Sequence, residues 1–221
     1  VTQWVSADAS ALSAAPLSPQ IAPDHVASVS QLNGHSAVAF GITNAAVQPL
    51  YFPAIAIDTA SVFAVVNLPS IANAAHFYVA GEVNGGYTGG FWAGGAGLDI
   101  DGFGWGSQPP YQYWQSTSEV TGWAVLAMRN NGFWLNGAPV SVHPSPSWSG
   151  FPHSTVINHM GGIDLPWATN QYIFRGYLAE MMIFDGYLSD SAMAAKSDSL
   201  VLAHLPILDI GPDTIDTCLT S

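Results

Sequence analysis

Residues 174–190 read FRGYLAEMMIFDGYLSD, and their order decides the fold. Gly176 to Phe184 is an apolar run, and Asp185-Gly186 breaks it. Along it Tyr177, Ala179, Met181 and Ile183 alternate with Leu178, Met182 and Phe184. Both sets are mainly apolar, so the period of two predicts a long strand covered on both faces and central in its sheet. Leu188-Ser189-Asp190 then opens the one convincing helix. Ser189 or Asp190 supplies the N-cap, Ala192, Met193, Leu200 and Ala203 are its apolar positions, and the helix ends before Pro206.

Upstream, short β-leaning runs follow one another closely. They are Ala37 to Phe40, Leu50 to Phe52, Ser61 to Asn67, His76 to Val79 and Thr155 to Ile157. Trp123 to Met128 is apolar and Asn130-Asn131-Gly132 reads as a turn. Phe133-Trp134-Leu135 reads as a strand, Asn136-Gly137 as a tight hairpin turn and Val140-Ser141-Val142 as the return. From Gly81 to Gly106 the chain is dense in glycine, which permits sharp turns and bulges, with Tyr87, Phe91, Trp92 and Trp105 between the glycines. Residues 1–33 are rich in Ala, Ser and Pro and read as an irregular segment wrapping a folded body over 34–205. The acidic tail, 206–221, reads as an edge strand or an arm onto a neighbour. The expectation is one domain over residues 1–221, with no repeat at solenoid spacing.

Composition narrows the function classes. Of the 221 residues 49% are hydrophobic and 8% charged, which argues against disorder. Three basic residues, Arg129, Arg175 and Lys196, stand against 15 acidic ones, for a net charge of −12. Such a chain cannot neutralise a run of phosphates, so nucleic acid and anionic membrane surfaces are excluded as partners. Neutral ligands, cations and complementary proteins remain, and sugars fit that set. No apolar stretch reaches the roughly 20 residues of a bilayer span, so no membrane insertion is expected. Cys218 is the only cysteine, which rules out an internal disulfide framework. The polarity carried by Asp, Ser, Thr, Asn and Gly is that of secreted or virion-surface proteins. The start at Val1, without a leader, suggests a processed or excised segment.

Four pieces of the chain carry a resemblance. They are Asn33-Gly34-His35-Ser36-Ala37-Val38-Ala39-Phe40, Ser61 to Val66, the strand, turn and FWLNG hairpin from Trp123 to Val140, and residues 174–190 with their AE, apolar and LSD sequence. In this order they resemble the concanavalin A-like lectin/glucanase superfamily, in particular its laminin-G-like branch of bacterial surface and phage proteins. The resemblance implies an all-β fold: a two-sheet antiparallel jelly-roll sandwich with one short C-terminal helix, and ligands held at rim loops or on a concave face. The superfamily's first strand ordinarily precedes the position of Trp4, a departure that suggests an excised domain or a strand supplied from elsewhere. The fold carries both binding modules and hydrolases, so function must come from the site.

Hydrolysis lacks its residues. The glucanase members of the superfamily place carboxylates in an E-x-D-x-x-E pattern on one strand face. The glutamates here are Glu82, Glu119 and Glu180, and none has an acidic residue two positions on. Glu180 reads as structural. Asp99 and Asp101 put two carboxylates on one face and, with the glycine-rich backbone around them, are the candidate calcium ligands. The seven histidines lack zinc spacing, no G-x-S-x-G surrounds a serine, and no phosphate loop is present.

The functional hint is aromatic. Trp92, Trp105, Tyr111, Tyr113 and Trp114 fall in one Gly- and Pro-rich connection, and Trp148 and Trp167 lie in two later loops. Flat aromatic faces stack on sugar C–H faces, so these seven are the candidate ligand-binding residues, with Trp105, Tyr111, Tyr113 and Trp114 in front. Trp123 and Trp134 lie inside strands and read as core. The expectation is a non-catalytic recognition or adhesion domain, a lectin in the broad sense, binding carbohydrate or host-surface material. Its place would be extracellular or on a virion. A structural virion or assembly module, as a homo-oligomer or on a scaffold, is the alternative, and an atypical glycoside hydrolase comes third.

Overall fold

The computed structural model describes residues 4–5, 13–16, 22–42, 49–56, 60–68, 76–83, 86–93, 103–107, 112–116, 120, 122–129, 132–144, 156–163 and 172–206. The alternating runs pair into two antiparallel sheets of seven strands each. The first sheet has the order β14 (Val142–Pro144), β10 (Gln112–Ser116), β9 (Phe103–Ser107), β8 (Gly86–Ala93), β7 (His76–Val83), β15 (Val156–Met160), β5 (Leu50–Ala56). The second has the order β13 (Ala138–Val140), β12 (Gly132–Leu135), β11 (Gly122–Arg129), β6 (Ala60–Leu68), β18 (Gly176–Asp185), β4 (Ala37–Phe40), β3 (Asp24–Val26). Two small pairs complete the described strands, β1 (Trp4–Val5) with β2 (Ser13–Ala14) and β16 (Gly162–Ile163) with β17 (Tyr172–Ile173). One helix, α1 (Asp190–His204), follows β18. This is the all-β jelly-roll sandwich with a C-terminal helix that the resemblance implied.

Two apolar layers hold it together, one on each side of the second sheet. Between the sheets, Phe40, Val62, Ala64, Leu126, Met128 and Phe133 meet Leu50, Phe91, Ile157 and Met160. On the outer side, Phe63, Val65, Val125, Ala127 and Trp134 pack beneath Leu32 and the helix residues Met193 and Leu200. β6 is buried throughout residues 60–66 and occupies the middle of its sheet. β18 lies beside it as an interior strand, with β4 on its other flank and side chains in both layers, as expected for Gly176 to Phe184. At the sheet edges Pro53, Pro139 and Pro144 sit within β5, β13 and β14, where a missing N–H discourages pairing with another chain.

The strict alternation expected along β18 breaks at Ala179. Register with β6 shifts between Leu178 and Glu180, so one residue is extra there. A bulge of this kind reverses the facing of everything beyond it. Leu178, Met181 and Ile183 consequently join the inter-sheet layer, while Tyr177, Ala179 and Met182 join the outer one.

Local chemistry explains the two ends of the outer layer. Asn136 (φ 50) and Gly137 (φ 85) make the tight turn that pairs Phe133 with Val140, as the Asn-Gly signal implied. A β-carbon on Gly137 would overlap the Asp198 carboxylate, so the helix lies directly over this turn. Ser189 caps α1 by accepting from the Ala192 N–H at 3.2 Å. The buried helix positions are Met193, Ser197, Leu200 and His204, one stripe at helical spacing, and Ala203 faces solvent. The helix stops at His204 because Leu205 takes an extended backbone ahead of Pro206.

The segment over 1–33 is more regular where it is described than the composition suggested. β3 pairs with β4 along Asp24 to Val26, so the second sheet begins ahead of Gly34. Residues 207–221, expected to form an edge strand or an arm, lie outside the described residues.

Candidate functional site

A row of residues crosses the second sheet at one end of its outer face. Trp123 on β11 pairs with Asn67 on β6, and Asn67 pairs in turn with Tyr177 on β18. Residues directly opposite across antiparallel strands share a face, so Asn67 occupies the strand between those of Trp123 and Tyr177, on the face that carries both rings. The ring centroids of Trp123 and Tyr177 are 5.8 Å apart and the planes are inclined at 40°. All three side chains are half-buried.

The row floors a cleft of about 650 Å³, within the size range of small-molecule sites. One wall is the segment Val26 to Gln31, with the Ser28 and Ser30 hydroxyls and the Gln31 amide. The other is Leu205 and Pro206, where the helix ends. None of the described residues lining the cleft is charged. Pro206 thus fixes how far the helical cover extends, and the Trp123–Asn67–Tyr177 row lies just beyond it.

This refines the expectation for Trp123, which packs against the outer apolar layer but stays partly exposed at its margin, whereas Trp134 is buried as expected with 4% exposed. The strand run placed both tryptophans correctly in β structure, but only pairing shows which of them the helix covers. A usable signal was present in Asn67. It stands at a position where the alternation of Phe63 and Val65 calls for another apolar side chain.

The aromatic group read from the glycine-dense region is arranged differently. The connection expected to hold Trp92, Trp105, Tyr113 and Trp114 is instead three strands, β8, β9 and β10. Trp114 pairs with Trp105, and Trp105 with Phe91, whose ring lies in the inter-sheet layer. Tyr113 belongs to the neighbouring row, with Gly106 and Gly90. Trp92 lies between Phe91 and Ala93 and is 3% exposed, which corrects the reading of it as an open stacking face. Tyr111, Trp148 and Trp167 lie outside the described residues, as do Asp99 and Asp101.

The other polar groups of interest are structural in their surroundings. Glu180 Oε2 accepts from His204 Nε2 at 2.5 Å, tying β18 to the end of the helix. Arg129 pairs with Asp190 at the helix start and lies over the Trp134 ring, 5.7 Å from its centroid. On the first sheet His159 packs edge-on against Tyr51, and burial lowers its pKa to about 4. Among the described residues, no three His, Cys, Asp or Glu side chains converge as a metal site, and no helix is long and apolar enough to cross a membrane.

The sandwich and its outer cleft define the class of molecule, a jelly-roll domain with an aromatic groove whose described lining is uncharged. Domain 4 of AbnA, a GH43 extracellular arabinanase from Geobacillus stearothermophilus, in complex with arabinotriose, superposes with a TM-score of 0.54 at 16% identity, over 80% of this chain and 80% of that one. The native heptameric SAP-like pentraxin of Limulus polyphemus gives 0.48 at 15% identity over 68% and 72%. The Ruminococcus gnavus IT-sialidase CBM40 bound to alpha2,3 sialyllactose gives 0.47 at 16% over 63% and 83%. At 16% identity the likeness to domain 4 of AbnA bears on the fold alone. No protein-family profile and no curated protein matches the chain.

Proposed function

We propose that this chain is a non-catalytic recognition domain that binds neutral carbohydrate in the cleft over Trp123, Asn67 and Tyr177. The observation that carries the reading is the row itself, two adjacent aromatic rings and an asparagine on one sheet face in a cleft whose described lining is uncharged. Aromatic faces bury sugar C–H groups, and amides and hydroxyls exchange hydrogen bonds with sugar hydroxyls. Neither demands a charge on the ligand. A jelly roll of the same architecture, domain 4 of AbnA, is in complex with arabinotriose, which supports including arabino-oligosaccharides among the probes. The four motifs support placing the chain in the laminin-G-like branch, and the sparse charge supports an extracellular or virion-surface setting, with adhesion as its use.

The test is a glycan array probed with the wild type, Trp123→Ala and Tyr177→Ala, with and without chelator. We expect chelator-resistant binding of neutral oligosaccharides that either substitution abolishes. Binding lost only to chelator would move the site to calcium at Asp99 and Asp101. Binding untouched by both substitutions would return it to Trp105, Tyr111, Tyr113, Trp114, Trp148 or Trp167.

One observation favours the assembly reading as a second. Leu202 is 61% exposed on the outside of α1, and Phe184 and Tyr187 are also exposed. A blank array together with a stable oligomer in solution would select it.

A further inference from the structure

We propose that Asn33 is a positioning residue that sets the width of the cleft by joining its two walls. The inference concerns the cleft described above, and only its second readout rests on the carbohydrate reading.

The first wall is carried by a self-contained turn. Val29 O accepts from Leu32 N at 2.9 Å and from Gly34 N at 3.0 Å, and Val29 N donates to His35 O at 3.0 Å. Leu32, in the short 3-10 turn Ser30–Leu32, is fully buried in the outer apolar layer and anchors this turn to the body. The second wall is anchored separately. Its helix end is held by the buried His204, which bonds Glu180 on β18.

Asn33 connects the two. It adopts φ 51, a left-handed conformation that asparagine tolerates better than most residues. From there its Nδ2 donates to Ala203 O at 3.3 Å and Leu205 O at 3.2 Å. Carbonyls in the last turn of a helix lack intrahelical partners, so one amide spans two acceptors left over by the helix end. Beside it the His35 ring meets His204 at 4.6 Å, a contact that closes the same seam without a directional bond. Each wall therefore stays folded on its own anchor, and the amide fixes the distance between them.

The experiment labels the full chain with 5-fluorotryptophan and reads the 19F resonance of Trp123, assigned by its disappearance in Trp123→Phe. Asn33→Gly keeps the left-handed backbone accessible and removes the amide. We expect the Trp123 resonance to shift and broaden while Tm stays within about 3 °C of wild type. The tightest neutral oligosaccharide from the array should bind about tenfold more weakly, a difference of about 1.4 kcal/mol. Asn33→Asp keeps size and turn preference but sets a carboxylate against two carbonyls, and should reproduce the shift. An unchanged Trp123 resonance in Asn33→Gly overturns the proposal. If the resonance moves but wild type retains no sugar on the array, the positioning role stands and the carbohydrate reading falls.

Discussion

Trp134 and Trp123 stand on the same face of neighbouring strands, β12 and β11, and differ in what lies above them. Over Trp134 the helix supplies Met193 and Leu200, Arg129 lies across the ring, and 4% of the residue remains exposed. Over Trp123 the helix has already ended, and the residue packs at the margin of the outer apolar layer, with Tyr177 beside its ring and the cleft next to it. The same residue type on the same sheet face becomes a packing element under the helix and an accessible platform beyond its end. What separates the two is the point where Ser189 starts the cover and Pro206 stops it.

The largest expected effect attacks the covered side. Trp134→Ala should leave a cavity beneath α1 and destabilise the fold by about 4 kcal/mol in denaturant unfolding. A loss below about 1 kcal/mol would mean the helix does not seal that region. Next, Gly137→Ala should cost about 2 kcal/mol, since its β-carbon would meet Asp198 at a backbone angle that alanine disfavours. A neutral outcome would place the helix farther from the turn than described.

The first sheet offers the same contrast in titratable form, because His159 is as buried as Trp134 is. Its pKa falls from 6.5 in the unfolded chain to about 4 in the fold through burial. Between these values the unfolded chain takes up a proton that the folded one refuses, so stability falls as pH falls. The contribution is intact above pH 6.5 and shrinks by up to about 1.4 kcal/mol per pH unit down to about 4. His159→Gln should lose less stability over that window, and parallel pH profiles for the two proteins would remove His159 as the cause. The smallest effect is at the start of the cover: Ser189→Ala should cost about 1 kcal/mol through the lost N-cap. Equal unfolding midpoints for Ser189→Ala and wild type would show that this end of the helix is held by packing alone.

Features set by neighbouring residues were legible in the sequence. Asn136-Gly137 announced its turn, Ser189 its cap and Pro206 the end of the helix, because each acts through its own backbone within a few residues. What depended on pairing was hidden. The bulge at Ala179 swaps the faces of β18 without altering its apolar character, so no periodicity reveals it. Glycine normally weakens a strand, and residues 86–93 and 103–107 read as a connection, yet their backbones pair in the first sheet across several cross-strand partners. The candidate site was the least legible part. Residues 67, 123 and 177 come together only when three strands align, and the aromatic count drew attention to a different region.

The end of the helix leaves a partly exposed platform at Trp123. Titration calorimetry of Trp123→Ala against the tightest oligosaccharide of the array, run beside thermal unfolding of the same sample, tests it most directly. No measurable binding is expected, with a stability loss of about 2 kcal/mol that leaves the variant folded, since the ring is partly exposed at the margin of the outer layer. Binding at the wild-type level in this folded variant would contradict a binding role for that ring.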